Sequence, residues 1–203
     1  MTSETLQKGQ IAFKPLTRDL WDDVQALFRQ MGGVSGCWCM WWRVTRAEFS
    51  RQYGEGNRQA FRQMLERGEV PGILAYAAEE PVGWCAVAPR QAFPVLDRSP
   101  VLKPVDAEPV WSIVCFFVAE PYRQQGMMEA LIRAAIAYAG ENGARIVEAY
   151  PVIPENSKDP GSQLYTGVYS TFARLGFQEV ARRSQIRPIM RYAIEEAVAE
   201  GVP

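Results

Sequence analysis

Residues 114–131 read VCFFVAEPYRQQGMMEAL and contain the pattern that decides the fold. An apolar run typical of a strand leads into a proline turn, and a helix-forming run follows directly. The turn, residues 123–128, presents free backbone N–H groups where the dipole of the predicted helix is positive. Gly126 allows close approach of a phosphate because glycine has no Cβ. The stretch therefore predicts a strand–turn–helix anion site that suits a diphosphate-bearing cofactor.

The composition describes a globular chain with a sizeable core and no bulk attraction to polyanions. Hydrophobic residues make up 48% and charged residues 22% of the 203 positions. The net charge of −1 supplies no general basic field, so nucleic acid is not the expected partner. No apolar run reaches the roughly 20 residues of a membrane span, and the polar first ten residues do not resemble a secretory signal. We therefore expect a cytoplasmic protein without a membrane partner.

The chain contains no histidine and only four scattered cysteines. Ser-His-Asp and Cys-His nucleophilic machinery is therefore excluded, and a general base must be a carboxylate, Tyr, Cys, a terminal amine or a relayed water. The cysteines suit a reducing compartment, and their spacing is poor for a zinc site, so no metal is expected. Cys115, on the strand before the glycine turn, is either a nucleophile or a small core residue.

The order of predicted elements indicates one mixed α/β domain over residues 1–203. Predicted strands cover residues 11–14, 72–79, 82–87, 110–118, 145–150, 177–183 and 185–192. Predicted helices cover 17–31, 46–66 with a break near 54–56, the run after the glycine turn, and 164–175. The turn of the hairpin is placed at Glu80-Pro81, residues 89–109 are predicted as a long surface loop, and 193–203 as a short helix or tail.

Two motifs, together with this order of elements, resemble the GNAT acyltransferase superfamily, which moves acetyl groups from acetyl-coenzyme A to amines. The first is residues 123–128, RQQGMM, where the family has a diphosphate turn R/Q-x-x-G-x-G/A. The second is residues 171–177, TFARLGF, similar to the family's L-Y-x-x-x-G-F. The resemblance covers residues 110–183 best. It implies a single domain with a central, mostly antiparallel sheet, a splayed strand pair and flanking helices.

The resemblance also implies where acetyl-CoA binds. The backbone of Phe117 and Val118 would bond the pantetheine amides at the splayed pair, and the N–H of Val118 would polarise the thioester carbonyl. The implied diphosphate site consists of Arg123, Gln124, Gln125, Gly126, Met127 and Met128. Arg123 would either add charge to this site or pair with a surface carboxylate. Met128 replaces the small residue of the family, and would either narrow the turn or pack inward against the sheet.

The second motif departs from the family at the residue that reprotonates the leaving thiolate. Phe172 stands where the family has tyrosine, and a phenyl ring cannot donate a proton. Tyr169 and Tyr165 lie three and seven residues earlier, near the same face of the predicted helix. We expect Tyr169 to be the substitute acid. The alternative is that Tyr169 packs in the core and water protonates the thiolate.

Glu148 is the expected base, since it alternates with apolar residues in a predicted strand and must point to one face. If that face lines the cleft, Glu148 can accept a proton from an ammonium group, directly or through water. If the face meets solvent, Glu148 has no catalytic role.

Residues 36–42, GCWCMWW, fall where the resemblance implies an acceptor pocket. Trp38 and Trp41 are the predicted substrate-binding residues, because tryptophan supplies rigid apolar walls and its ring face attracts cations. The alternative is that these rings plug the end of the domain against the proline-rich loop.

These expectations combine into an N-acyltransferase that transfers acetyl from acetyl-CoA by direct attack of an amine, without a covalent acyl-enzyme. The acceptor stays open between a small molecule and a peptide, and the family allows a homodimer. A catalytically silent coenzyme A-binding sensor with the same fold is the alternative, because Phe172 replaces the usual acid.

Overall fold

A computed structural model describes residues 11–156 and 161–195 of the chain. Seven strands form one open sheet: β1 (Ile11–Pro15), β2 (Ile73–Ala77), β3 (Glu80–Pro89), β4 (Trp111–Val118), β5 (Ile146–Ala149), β6 (Gln178–Ala181) and β7 (Ile189–Ala193). The helices of the described residues are α1 (Trp21–Arg29), α2 (Arg46–Gln52), α3 (Glu55–Glu66), α4 (Pro94–Arg98), α5 (Met127–Glu141) and α6 (Tyr169–Arg174). Most of the tail predicted at 193–203 lies outside the described residues.

The strands follow the order β1-β2-β3-β4-β5-β7-β6, and every neighbouring pair is antiparallel except β4 and β5. The parallel pair is short: it runs only from Trp111 opposite Val147 to Ile113 opposite Ala149. Residues 114–118 of β4 continue alongside β3 but have no strand partner on the β5 side within residues 11–156 and 161–195. The predicted mixed α/β fold, with a mostly antiparallel sheet and a splayed strand pair, is thus confirmed.

Helices cover both faces of the sheet. Successive strand residues point to opposite faces, and the central residues of β3 are buried on both. At Gly83 on β3, an added Cβ would lie 3.3 Å from Leu131, so α5 packs directly against the strand there. The next residue, Trp84, makes edge contacts with Phe28 of α1 and Phe61 of α3 on the other face. The buried core therefore lies in two layers, on either side of β2, β3 and β4.

The hairpin turn and the proline-rich segment differ from the sequence prediction. The hairpin turns at Ala78 and Glu79, where Ala78 has a φ of +52°, and Glu80-Pro81 already belongs to β3. The proline-rich segment is not a plain surface loop, because it contains α4 and buries Phe93 and Leu96 completely. The apolar side chains between the prolines pack into the core, which the proline-rich composition of the segment did not predict.

The helix predicted at 164–175 is interrupted at Gly167. A 3-10 turn covers Gly161–Thr166, and α6 begins only at Tyr169. Gly167 has a φ of +84°, and a Cβ at this position would lie 2.6 Å from the ring of Phe172. The break places Tyr165 and Tyr169 on separate elements, so they do not share a helical face.

Candidate functional site

The end of β4 and the glycine turn enclose a cavity of about 700 Å³, here called the turn cavity. Seven of the eight predicted cofactor residues line it: Phe117, Val118, Arg123, Gln124, Gly126, Met127 and Met128. The eighth, Gln125, faces away from the cavity lining, and its amide donates a hydrogen bond to the carbonyl of Pro121 (2.7 Å). The structure thus brings together residues from a strand end and a helix start that were assigned from sequence alone.

The glycine turn has the backbone geometry of an anion site. Gly126 caps α5 with a φ of +83°, and no side chain caps the helix. The first helical hydrogen bond runs from the N–H of Ala130 to the carbonyl of Gly126 (3.0 Å), so the preceding N–H groups have no intrahelical acceptor. A Cβ placed at Gly126 would meet no atom within 4 Å, which leaves the space in front of these donors open. This arrangement fits a diphosphate.

The turn is tied to the strand end by Arg123. Its Nε donates to the carbonyl oxygen of Val118 (2.9 Å), and its guanidinium lies over the ring of Phe117 at 6.0 Å. The N–H of Ala119 donates to Val82 on β3 (2.9 Å). Because successive amides of a strand point to opposite sides, the N–H of Val118 points away from β3, toward the gap left by β5. A backbone donor therefore faces the splayed region.

A second cavity of about 640 Å³ lies beside the first and is here called the tryptophan cavity. Met31 and Tyr165 line both cavities, so the two adjoin. The remaining lining residues of the tryptophan cavity are Cys37, Cys39, Trp41, Trp42, Arg46, Phe49, Tyr53, Val95, Ser99, Val101, Leu102, Cys115 and Arg187. Its wall is formed by the 36–42 segment, α2 and the α4 region.

The two tryptophans predicted to bind substrate have different positions. Trp41 lines the tryptophan cavity and packs edge-on against Phe49, with ring centroids 5.1 Å apart. Trp38 is 8% exposed and stacks on Trp21 at 5.6 Å, within an aromatic cluster that includes Phe28. Trp38 therefore belongs to the core, and Trp42 is the second tryptophan that lines the cavity.

The tyrosine at the junction of the cavities is Tyr165, not Tyr169. Burial raises the pKa of Tyr165 to about 12, although the nearby cation of Arg187 opposes the shift. Tyr169 lines neither cavity, and the centre of its ring lies 5.8 Å from the guanidinium carbon of Arg182. Phe172 is fully buried and packs edge-on against Phe177 at 4.9 Å, so it is a core residue.

Glu148 lies in neither cavity lining, and its carboxylate is fully engaged in a buried network. Its Oε1 accepts from Nη1 of Arg90 (2.7 Å) and from the hydroxyl of Tyr150 (2.6 Å), and its Oε2 accepts from Nε of Arg191 (2.8 Å). Burial and the Glu148 charge hold the pKa of Tyr150 well above its usual range. From the sequence, Glu148 was expected to face either the cleft or solvent, and in the structure it faces neither. The geometry argues for a structural carboxylate rather than the predicted base.

Cysteine thiols form part of the wall between the core and the tryptophan cavity. The Sγ atoms of Cys39 and Cys115 are 3.5 Å apart, and the indole N–H of Trp84 donates to Cys39 (3.1 Å). Hydrogen bonding to Cys39, together with burial, raises the pKa of Cys115 well above its usual range. A thiol held protonated in this way is a weak nucleophile, which favours the core role for Cys115.

Sequence reasoning missed Arg46, Arg187 and Met31 at the cavities, and Arg90 and Arg191 around Glu148. The elements that carry them are far apart in sequence and meet only in the folded sheet. One signal was available: Tyr150 follows Glu148 by two residues in a strand, so the two side chains share a face.

The chain belongs to the Acetyltransferase (GNAT) family, whose profile matches residues 38–158, more than half of its length. Comparison with the curated proteins gave no match.

Several solved structures share the fold at low sequence identity. A GNAT-family acetyltransferase from Streptococcus agalactiae superposes with a TM-score of 0.55 at 9% identity, over 92% of this chain and 96% of that one. The aminoglycoside N-acetyltransferase AAC(6')-Iy, in complex with CoA, superposes with a TM-score of 0.54 at 18% identity, over 87% of this chain and 93% of that one. The PaiA N-acetyltransferase from Thermoplasma acidophilum, in complex with coenzyme A, superposes with a TM-score of 0.52 at 11% identity, over 91% of this chain and 99% of that one. These likenesses show the fold.

Within the described residues, no helix is long and apolar enough to cross a bilayer.

Proposed function

We propose that this protein is an N-acetyltransferase that binds acetyl-CoA in the turn cavity and an amine in the tryptophan cavity. The observation that carries the proposal is the junction of the two cavities at Met31 and Tyr165, beside the unpaired end of β4. An anion-binding turn on one side and an apolar chamber on the other suit a charged cofactor and a separate acceptor.

The residues of the turn cavity fit the cofactor. The N–H groups at the start of α5 and the open space at Gly126 suit the diphosphate, and the free edge of β4 suits the pantetheine amides. Acetyl-CoA, when bound, supplies the acetyl group as a thioester that amines attack directly. The N–H of Val118 faces the splayed region, where a fixed donor stabilises negative charge on a carbonyl oxygen.

Tyr165 is the proposed proton donor in place of the predicted Tyr169. Its phenol stays protonated at neutral pH because burial raises its pKa to about 12. In the transfer a nitrogen–carbon bond forms and a carbon–sulfur bond breaks. The nitrogen proton leaves to water, the sulfur receives the proton of Tyr165, and solvent reprotonates the phenol. Direct attack needs no acyl-enzyme, so no cysteine has to act as a nucleophile.

Release of free thiol is the direct test of this proposal. The protein is incubated with acetyl-CoA and a panel of amines, and thiol is followed with a chromogenic reagent while calorimetry measures binding of coenzyme A. Turnover with at least one amine class supports the proposal.

Burial of Phe172 in place of the family tyrosine favours a second candidate, a silent coenzyme A sensor. Tight coenzyme A binding without thiol release across a broad panel would favour that sensor over the enzyme. A homodimer and the identity of the acceptor stay predictions.

A further inference from the structure

The polar groups that line the tryptophan cavity are cationic or can donate hydrogen bonds. Two of these residues are cationic, Arg46 and Arg187. The others carry a hydroxyl, a thiol or an indole N–H: Tyr53, Tyr165, Ser99, Cys37, Cys39, Cys115, Trp41 and Trp42. Among the described residues that line this cavity, none is an aspartate or a glutamate. A chamber built for an amine cation would carry carboxylates, because an ammonium group has donors and no acceptor. This chamber has the opposite polarity.

Arg46 provides the first positive charge, at an exposed position on the cavity wall. Its guanidinium carbon lies 3.2 Å from the ring centroid of Trp41, a cation–π contact that holds the group against the aromatic wall. No carboxylate among the described residues forms an ion pair with it. The charge therefore faces the cavity region without a neutralising acid in the described part of the chain.

Arg187 provides the second positive charge, from the segment before β7. Its Nη1 donates to the carbonyl of Tyr150 (2.9 Å) and to the hydroxyl of Thr166 (2.7 Å), which fixes the position of the guanidinium. Burial lowers its pKa, opposed by Tyr165, but an arginine remains cationic at neutral pH. The two guanidinium groups that line the cavity thus come from separate elements, α2 and the segment that precedes β7.

The apolar part of the wall is largely aromatic. Trp41, Trp42 and Phe49 supply flat surfaces, and Val95 and Leu102 close the other side. The indole N–H of Trp42 is buried and has no hydrogen-bond partner among the described residues, which adds another unused donor. An apolar body that carries a hydrogen-bond acceptor group complements this wall.

The apolar wall reduces the need for a general base. An apolar chamber disfavours the charged form of an amine, so it lowers the pKa of an ammonium group that enters. The amine then reaches the junction at Tyr165 in its neutral, nucleophilic form. This explains how transfer can proceed although Glu148 is committed to Arg90 and Arg191.

We propose that the acceptor is an amine that also carries a carboxylate on an aromatic or similarly apolar body. The carboxylate binds on the side of Arg46 and Arg187, the apolar body packs against Trp41 and Trp42, and the amine faces Tyr165. This inference rests on the proposed function, since it names the substrate class of the same site.

The test compares three probes that share one phenyl ring: L-phenylalanine, 3-phenylpropionate, which lacks the amine, and 2-phenylethylamine, which lacks the carboxylate. Calorimetry in the presence of coenzyme A measures their binding without any need for turnover. We expect both carboxylates to bind at least about tenfold more tightly than 2-phenylethylamine, as charge-assisted hydrogen bonds to a guanidinium require.

Arg46→Gln should reduce this preference to less than about threefold, and Arg46→Lys should restore part of it because the charge returns. Arg51→Gln is the matched control, since Arg51 is exposed on the same helix but outside the cavity lining. The Arg51→Gln variant should prefer the carboxylate probes over 2-phenylethylamine to the same extent as the parent protein. A preference that survives Arg46→Gln in full would contradict the assigned role of Arg46.

Equal or tighter binding of 2-phenylethylamine, or no binding of any probe, overturns the proposal. Turnover separates this failure from failure of the enzyme assignment. Acetylation of 2-phenylethylamine in preference to L-phenylalanine would leave an N-acetyltransferase with a different acceptor. Selective binding of the carboxylates without thiol release would retain the site but remove the catalytic function.

Discussion

Substitution of Gly126 by glutamate is the sharpest test of the cofactor site. Gly126 caps α5 in the left-handed region, and its missing Cβ points into open space at the turn cavity. A glutamate there would be strained by about 1 to 2 kcal/mol. It would also place a negative charge in front of the N–H groups at the start of the helix.

The electrostatic penalty follows from the expected ligand. At about 4 Å, two like charges repel by about 1 kcal/mol in water and about 4 kcal/mol at the effective dielectric constant near a protein surface. For a diphosphate in this partly exposed turn we expect a loss of about 2 to 4 kcal/mol in binding free energy. That loss corresponds to a roughly 30- to 900-fold increase in the Kd of coenzyme A.

Gly143 offers a matched control at the opposite end of the same helix. It has a φ of +81°, and a Cβ there would likewise meet no atom within 4 Å. Gly143→Glu therefore carries the same backbone strain but lies outside the turn cavity. Calorimetry should show weakened coenzyme A binding only in Gly126→Glu, with similar urea unfolding midpoints for both variants. If folded Gly126→Glu keeps the parent Kd within about threefold, the reasoning about the turn is refuted.

The remaining predictions concern Tyr165, Tyr169 and Glu148, the candidate acid and base residues. Tyr165→Phe should lower kcat at least about tenfold with coenzyme A affinity unchanged, because it removes a general acid, whereas Tyr169→Phe should have little effect on steady-state rates. Burial raises the pKa of Tyr165 to about 12, so the protonated donor form persists as the pH rises. The pH profile of kcat should therefore show no descending limb between about pH 8 and 10. A descending limb in that range would contradict the role of Tyr165 as the donor. Glu148→Gln should lower the free energy of unfolding by about 1 to 3 kcal/mol, measured in urea, because Arg90 and Arg191 lose their shared buried carboxylate and keep only the more exposed Asp97 and Asp106. A stable but inactive Glu148→Gln would instead point to the base role expected from the sequence.

The sequence by itself determined the fold class and predicted the region where a cofactor would bind. Those signals are local: an apolar strand, a turn with one glycine and a helix occupy a single stretch, and their geometry follows from backbone rules. The turn residues assigned in this way line one cavity in the structure, with Gln125 as the exception. The break between α2 and α3 was also predicted, because the glycines near residue 54 act on neighbouring residues of the backbone.

Only the tertiary structure decided which side chains meet in the proposed acceptor site. The helix that would have aligned Tyr165 with Tyr169 is broken at Gly167, which has a positive φ and leaves no room for a Cβ beside the ring of Phe172. The charge of Glu148 was visible in the sequence, but Arg90 and Arg191, which neutralise it, come from distant segments. Side-chain partners across a sheet depend on how strands far apart in sequence are ordered, and local propensity contains no information about that order.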